Sequence, residues 1–177
     1  MAYAIEMFFE EHADAAVRQL WHRLTEAGLA SLATRSHARH RPHVSLTVTS
    51  GLDVAHLDAV ADVVADSVDQ PLPRLSLSSL GTFAGDGGVL FLGAVVTAPV
   101  LALHTRVCDV MREQGLGQWS HYVPSAWIPH CTLAMGLPPA EIASAIRLLA
   151  DFRPIDAQVV EVGVTDTTTG AVTFLSR

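Results

Sequence analysis

Apolar residues recur along this chain at two spacings. Every second position marks half-buried strands, and every third or fourth marks amphipathic helices. Ala2 to Phe9 reads as a strand that ends at Glu10-Glu11. Ala13 to Ala27 reads as a helix with Val17, Leu20, Trp21 and Leu24 on one face and Gly28 as its C-terminal cap. His12 and His22 fall on the surface of this segment. Ser36 to Arg41 is a polar loop, and His43 to Thr49 is a second strand. Asp53 is placed to cap a helix reaching to about Val68, with Leu57, Val60, Ala61, Val64 and Val68 in one stripe. Pro71 and Pro73 break the chain there.

The strand pattern resumes from Arg74 to Phe83, turns at Gly85-Asp86-Gly87-Gly88 and returns from Val89 to Val96, which predicts a hairpin. Thr97 and Pro99 open a third helix, with Val100, Leu103, Val107, Val110 and Met111 as its stripe. Gly115 and Gly117 end it. A loop from Gln118 to Trp127 leads into a strand from Ile128 to Met135. Pro138-Pro139 starts a fourth helix with Ile142, Ala145, Ile146 and Leu149 facing in. Pro154 to Thr165 is a long strand whose apolar positions change phase between Val159 and Val160, the mark of a bulge. Thr167 to Gly170 turns the chain into a last strand, Ala171 to Leu175.

The order is therefore β-α-β-α-β-β followed by α-β-α-β-β. The second half repeats most of the first. This predicts an α+β fold, bilobal, with approximate two-fold symmetry inside one domain spanning residues 1–177.

Composition narrows the picture. Half of the residues are hydrophobic and 16% are charged, as expected of a chain with a substantial core. The net charge is −7, and all eleven basic residues are arginine. That balance argues against a broad grip on duplex nucleic acid, which rests on neutralising many phosphates. It leaves room for a small nucleotide or an RNA end. The N-terminal residues lack a basic region followed by an apolar run, and Val89 to Val96 is too short to span a bilayer. A cytoplasmic protein with no membrane contact is expected. The two cysteines, Cys108 and Cys131, make neither a disulfide framework nor a zinc motif. Cys108 is expected on a helix and Cys131 on the back of a strand. The glycine cluster at 85–88 has no following Gly-Lys-(Ser/Thr) and is not a phosphate-binding loop.

The chemistry concentrates in two matching pentapeptides. Pro42-His43-Val44-Ser45-Leu46 and Pro129-His130-Cys131-Thr132-Leu133 both read Pro-His-x-(Ser/Thr)-Leu. In a strand, residues i and i+2 point the same way. His43 and Ser45 then share one face, and so do His130 and Thr132. Val44, Leu46, Cys131 and Leu133 point to the buried side. A single His beside a hydroxyl is more often structural, but a five-residue pattern repeated once in each half outweighs that reading. Facing strands would gather two imidazoles, able to act as base and acid near neutral pH, and two hydroxyls able to bind anionic oxygens. That set suits displacement at a phosphodiester without a metal. His37, His40 and His43 are spaced by three, but Pro42 opposes a helix there, so no metal site is read from them.

On these residues the chain resembles the 2H phosphoesterases, which include 2′-5′ RNA ligase-like proteins and cyclic nucleotide phosphodiesterases. The paired His-x-(Thr/Ser) motifs are His43-Val44-Ser45 and His130-Cys131-Thr132. The resemblance implies two antiparallel sheets lining a central cleft, helices outside, and one motif from each lobe. It implies a metal-independent phosphoesterase, without cofactor, acting on 2′,3′-cyclic phosphates or 2′-5′ linkages of nucleotides or RNA ends. His43 and His130 would be catalytic, and Ser45 and Thr132 would hold the phosphate.

Around these motifs, Arg39 and Arg41 are close enough in sequence to His43 to approach a phosphate. A solvated loop is the equal competing reading. Tyr122 and Trp127 precede the second motif and are candidates to stack on a base or ribose. For Trp127, packing under the strand is the more modest alternative. The partner expected is a nucleotide or RNA terminus, with no extended nucleic-acid surface, and the chain is expected to be a monomer. A second functional class is a sensor that binds a nucleotide or phosphorylated metabolite in the same cleft without turnover. A metallohydrolase ranks third, because the sequence lacks the Asp/Glu cluster that such a site needs.

Overall fold

The computed structural model describes residues 2–35, 39–66, 72–83, 85 and 87–176. Its elements follow the predicted order: β1 (Ala2–Phe9), α1 (Glu11–Glu26), β2 (His43–Ser50), α2 (Val54–Asp66), β3 (Arg74–Thr82), β4 (Leu90–Ala94), α3 (Ala98–Glu113), β5 (His130–Ala134), α4 (Pro139–Leu149), β6 (Ile155–Asp166) and β7 (Val172–Ser176). Short 3₁₀ turns at Leu32–Thr34 and Ser120–Tyr122 interrupt the loops before β2 and β5. Val68, Pro71, Asp86 and Ser36 to Ala38 of the polar loop lie outside the described residues.

The helix ends have local causes. After α1, Gly28 adopts φ +76°, where a side chain would be strained. The Leu29 N–H then reaches back to the Leu24 carbonyl, closing the Schellman turn. Asp53 accepts the His56 N–H at 3.2 Å, so it caps α2 as its position implied. Prolines stand in the first turns of α3 and α4, where their missing N–H leaves nothing unsatisfied.

All seven strands pair antiparallel, in the order β2-β1-β6-β3-β4-β5, with β7 added alongside β6. The expected two sheets are therefore joined into one. β6 is twelve residues long, and it pairs through Ile155 to Gln158 with β3 and through Val159 to Asp166 with β1. Where it passes from one neighbour to the other it bulges. Val159 sits opposite Phe9 and Glu161 opposite Phe8, leaving Val160 without a partner and 39% exposed. This is the phase change visible in the sequence. The hairpin of β3 and β4 forms as predicted.

Alternation along the strands separates two surfaces. Ile5, Met7, Val44, Leu46, Leu75, Leu77, Leu90, Leu92, Cys131 and Leu133 are buried in one apolar core with Val17, Trp21 and Leu24 of α1 and Val100, Val107 and Met111 of α3. The intervening residues of β1, β2 and β5 face a cleft. Among the described residues, no helix is long and apolar enough to cross a membrane.

Candidate active site

β2 and β5 stand at the two ends of the strand order, yet they lie against each other. Edge strands expose carbonyls that need donors. Two indoles supply them. Trp127 Nε1 donates to the Ser45 carbonyl at 3.0 Å, and Trp21 Nε1 donates to the Thr132 carbonyl at 3.1 Å. Each motif strand is thus held by a tryptophan at its hydroxyl-bearing residue.

The cleft between them has a volume of about 640 Å³ and takes in His43, Ser45, His130 and Thr132 together. Both histidines are fixed in the same way. His43 Nδ1 lies 2.7 Å from the Arg41 carbonyl, and His130 Nδ1 lies 2.7 Å from the Ile128 carbonyl. A carbonyl only accepts, so each Nδ1 is the protonated nitrogen. Each Nε2 is then the atom available for proton exchange. In both cases the carbonyl belongs to the residue two before the histidine, across the proline, so the motif itself sets the tautomer.

The two imidazoles have different surroundings. The His130 ring meets Phe83 edge-on with centroids 4.9 Å apart and Phe91 at 5.1 Å. Burial among these rings lowers its pKa below the ordinary histidine value, and charge on His43 works in the same direction, while the Ile128 carbonyl opposes them. Room for Phe91 comes from Gly81, since a Cβ there would overlap the Phe91 ring. His43 instead meets a carboxylate, with its Nε2 3.2 Å from Glu6 Oε1. Glu6 is 6% exposed, and its other oxygen accepts from Thr165 Oγ1 at 2.6 Å.

Glu6 was missed by sequence reasoning. A signal was present: it is the lone charged residue inside an otherwise apolar strand, and it shares the face of Ala4 and Phe8, all three of which line the cleft. Its partner became visible only with the β1–β2 register, which sets Glu6 opposite Ser45 and Phe8 opposite His43.

The other candidates are placed as follows. Arg39 and Arg41 both line the cleft. The Arg41 guanidinium lies over the rings of Phe8 and Phe174 and donates twice to Glu161 Oε2 at 3.2 Å. Tyr122 also lines the cleft. Burial raises its phenol pKa, and the Glu6 charge adds to that. Trp127 is not among the cleft residues: it stacks on buried His104 at 3.8 Å and nearly parallel. Trp119, half-exposed at the cleft mouth with Ile128 and Met135, is an aromatic that sequence reasoning passed over. Cys131 lies behind the motif, its thiol pushed by burial up to about 12. Among the described residues, no group of three or more His, Cys, Asp or Glu side chains could hold a metal ion.

Comparison with known proteins bears on the family and on the fold. The family model of the 2′-5′ RNA ligase superfamily matches residues 9–171. No curated protein sequence matches the chain. Among solved structures, the MHV ns2 PDE domain is 19% identical, with a TM-score of 0.55, covering 78% of this chain and 85% of that one. Usb1 of Kluyveromyces marxianus, solved with uridine monophosphate, is 11% identical, with a TM-score of 0.53 over 99% of this chain and 98% of its own. A structure described as a phosphoesterase is 13% identical, with a TM-score of 0.51, covering 97% and 92% of the two chains. At these identities the likeness is one of fold.

Proposed function

Because the chain belongs to the 2′-5′ RNA ligase superfamily, we propose that it is a phosphoesterase that opens 2′,3′-cyclic phosphates or 2′-5′ phosphodiester bonds of nucleotides or RNA ends, using two histidines and no metal. One observation carries the reading. Two imidazoles, each with Nδ1 against the carbonyl two residues before it, line one cleft beside one hydroxyl from each motif. In this reading one Nε2 takes a proton from the attacking water as its oxygen bonds to phosphorus. The other gives a proton to the departing ribose oxygen. Ser45 and Thr132 hold the non-bridging oxygens. Each proton transfer contributes about 10²–10⁴-fold. The cleft volume, about 640 Å³, lies in the range of small-ligand sites. The acidic net charge favours a small or terminal substrate over a long duplex.

Arg39 and Tyr122 are the substrate contacts we assign beyond the motifs, with Arg41 acting near the phosphate through the position of its backbone at His43. We also read the two motif-bearing halves as lobes related by approximate two-fold symmetry, which the repeated element order supports.

The test is a panel of 2′,3′-cyclic nucleotides and 2′-5′-linked dinucleotides, assayed in chelator with parent, His43→Ala and His130→Ala proteins. Turnover by the parent and a loss of at least about 10²-fold in either variant is expected. Full activity in either variant, or activity that chelator abolishes, would sink the proposal.

A further inference from the structure

The contact between Glu6 and His43 constrains where a proton sits. Nδ1 of His43 already carries one, because it faces the Arg41 carbonyl at 2.7 Å. In a neutral ring, Nε2 would then be a bare acceptor. It would stand 3.2 Å from Glu6 Oε1, an acceptor facing an acceptor. That approach is favourable only with a proton between the two atoms. The second Glu6 oxygen accepts a 2.6 Å bond from Thr165 Oγ1, a donor that favours the carboxylate over the carboxylic acid. The side chain of Glu6 is 8% exposed, so water screens this pair little.

We propose that Glu6 is a positioning residue that keeps a proton on Nε2 of His43, so that His43 enters the reaction as the acid and His130 as the base. This rests on the phosphoesterase reading above. His130 shares the Nδ1 arrangement, but the groups around its ring are Phe83 and Phe91, and among the described residues no carboxylate is paired with it. Burial there favours the neutral imidazole, as a base requires. The other charged or titratable residues lining the same cleft are Arg35, Arg39, His40 and Arg41 from the segment before β2, His121 and Tyr122 from the loop before β5, and His130 from β5. The Arg41 charge is matched by Glu161.

The step balances. A water oxygen bonds to phosphorus, and its proton passes to His130 Nε2. The bond from phosphorus to one ribose oxygen breaks, its electron pair stays on that oxygen, and the oxygen takes the proton from His43 Nε2. Solvent then returns the two histidines to their starting states. Glu6, still held by Thr165, restores the preference for a proton on His43.

The experiment is side-chain ¹⁵N NMR of histidine-labelled protein at pH 7 without substrate, comparing the parent with Glu6→Gln. Glutamine is nearly isosteric, and its amide can donate to a bare Nε2, so the ring stays in place. In the parent, His43 Nε2 should show the shift and one-bond N–H coupling of a protonated nitrogen. In Glu6→Gln it should show a bare nitrogen. Thr165→Val should move the signal the same way by less, and Glu6→Asp should restore part of the parent signal. In turnover, Glu6→Gln should lower kcat at least about tenfold with little change in KM, within the range the whole acid step supplies. A bare Nε2 in the parent, or a protonated one in both proteins, overturns the inference even if the substrate panel is active. A parent protonated only with Glu6 present, but inactive on every substrate, upholds the carboxylate's hold on the proton and overturns the phosphoesterase reading instead.

Discussion

Replacing Trp21 by Phe tests how the motif strands are held. The indole is 1% exposed, and its Nε1 is 3.1 Å from the Thr132 carbonyl at the free edge of β5. Phenylalanine removes that donor and leaves the carbonyl facing an apolar ring, which costs about 1–3 kcal/mol. The smaller ring also gives up buried carbon worth roughly 1 kcal/mol. The sum, roughly 2–4 kcal/mol, corresponds to a fall in Tm of roughly 4–16 °C for a chain of this size. Urea unfolding should show a lower midpoint with an unchanged slope. Trp127→Phe removes the matching donor from the Ser45 carbonyl and should destabilise by roughly 1–3 kcal/mol. Trp119→Phe serves as the control, because that ring is 50% exposed, and it should stay within about 0.5 kcal/mol of the parent. If Trp21→Phe behaves like Trp119→Phe, the indole bond does not hold the motif strand and the reasoning fails.

Three further outcomes are expected. Gly88 has φ +53°, and a Cβ there would run into the backbone of Leu137. Gly88→Ala should therefore lose about 2 kcal/mol or more in chemical denaturation. With His130 as base, its lowered pKa keeps the neutral form populated below the usual value of 6.5, so the acidic limb of kcat/KM should fall below pH 6.5. Phe83→Ala should let water reach the ring and move that limb upward. His104 is buried against Trp127 with its pKa lowered by desolvation. The unfolded chain then binds more protons than the folded one just below pH 6.5, so stability is full above that pH and is lost as pH falls through the lower folded value. Thermal melts between pH 7.5 and 5 should show this slope, and His104→Leu should reduce it to the part that His130, whose pKa is also lowered, contributes.

Much of the architecture was legible because it depends on local periodicity. The stripe Val17, Leu20, Trp21, Leu24 needed only helical spacing, and all four are buried. The phase change at Val159–Val160 needed only strand alternation. The four motif side chains were found because each pair obeys the i, i+2 rule and the pattern occurs twice. What stayed hidden depends on pairing between distant segments. Glu6 meets His43 through the β1–β2 register, and the bond from Thr165 comes from β6. The joining of two expected sheets into one depends on which neighbours β6 chooses, and nothing in its own residues names them. Trp127 reads alike as a stacking platform or as a strand support until His104, on a separate helix, appears beneath it.

β6 has a consequence for how the chain is made. It is the shared neighbour of β1 and β3, and it begins at Ile155. A ribosome working from the N-terminus exposes β1 to β5 before the strand that links their two ladders has emerged. Until then β1 has only β2 beside it, and β3 has only β4. Their unpaired edges stay open until β6 has emerged, the condition under which strands find the wrong partner. The segment from Ile155 to Ser176 therefore closes the sheet, and the two ladders are joined only once it has been made.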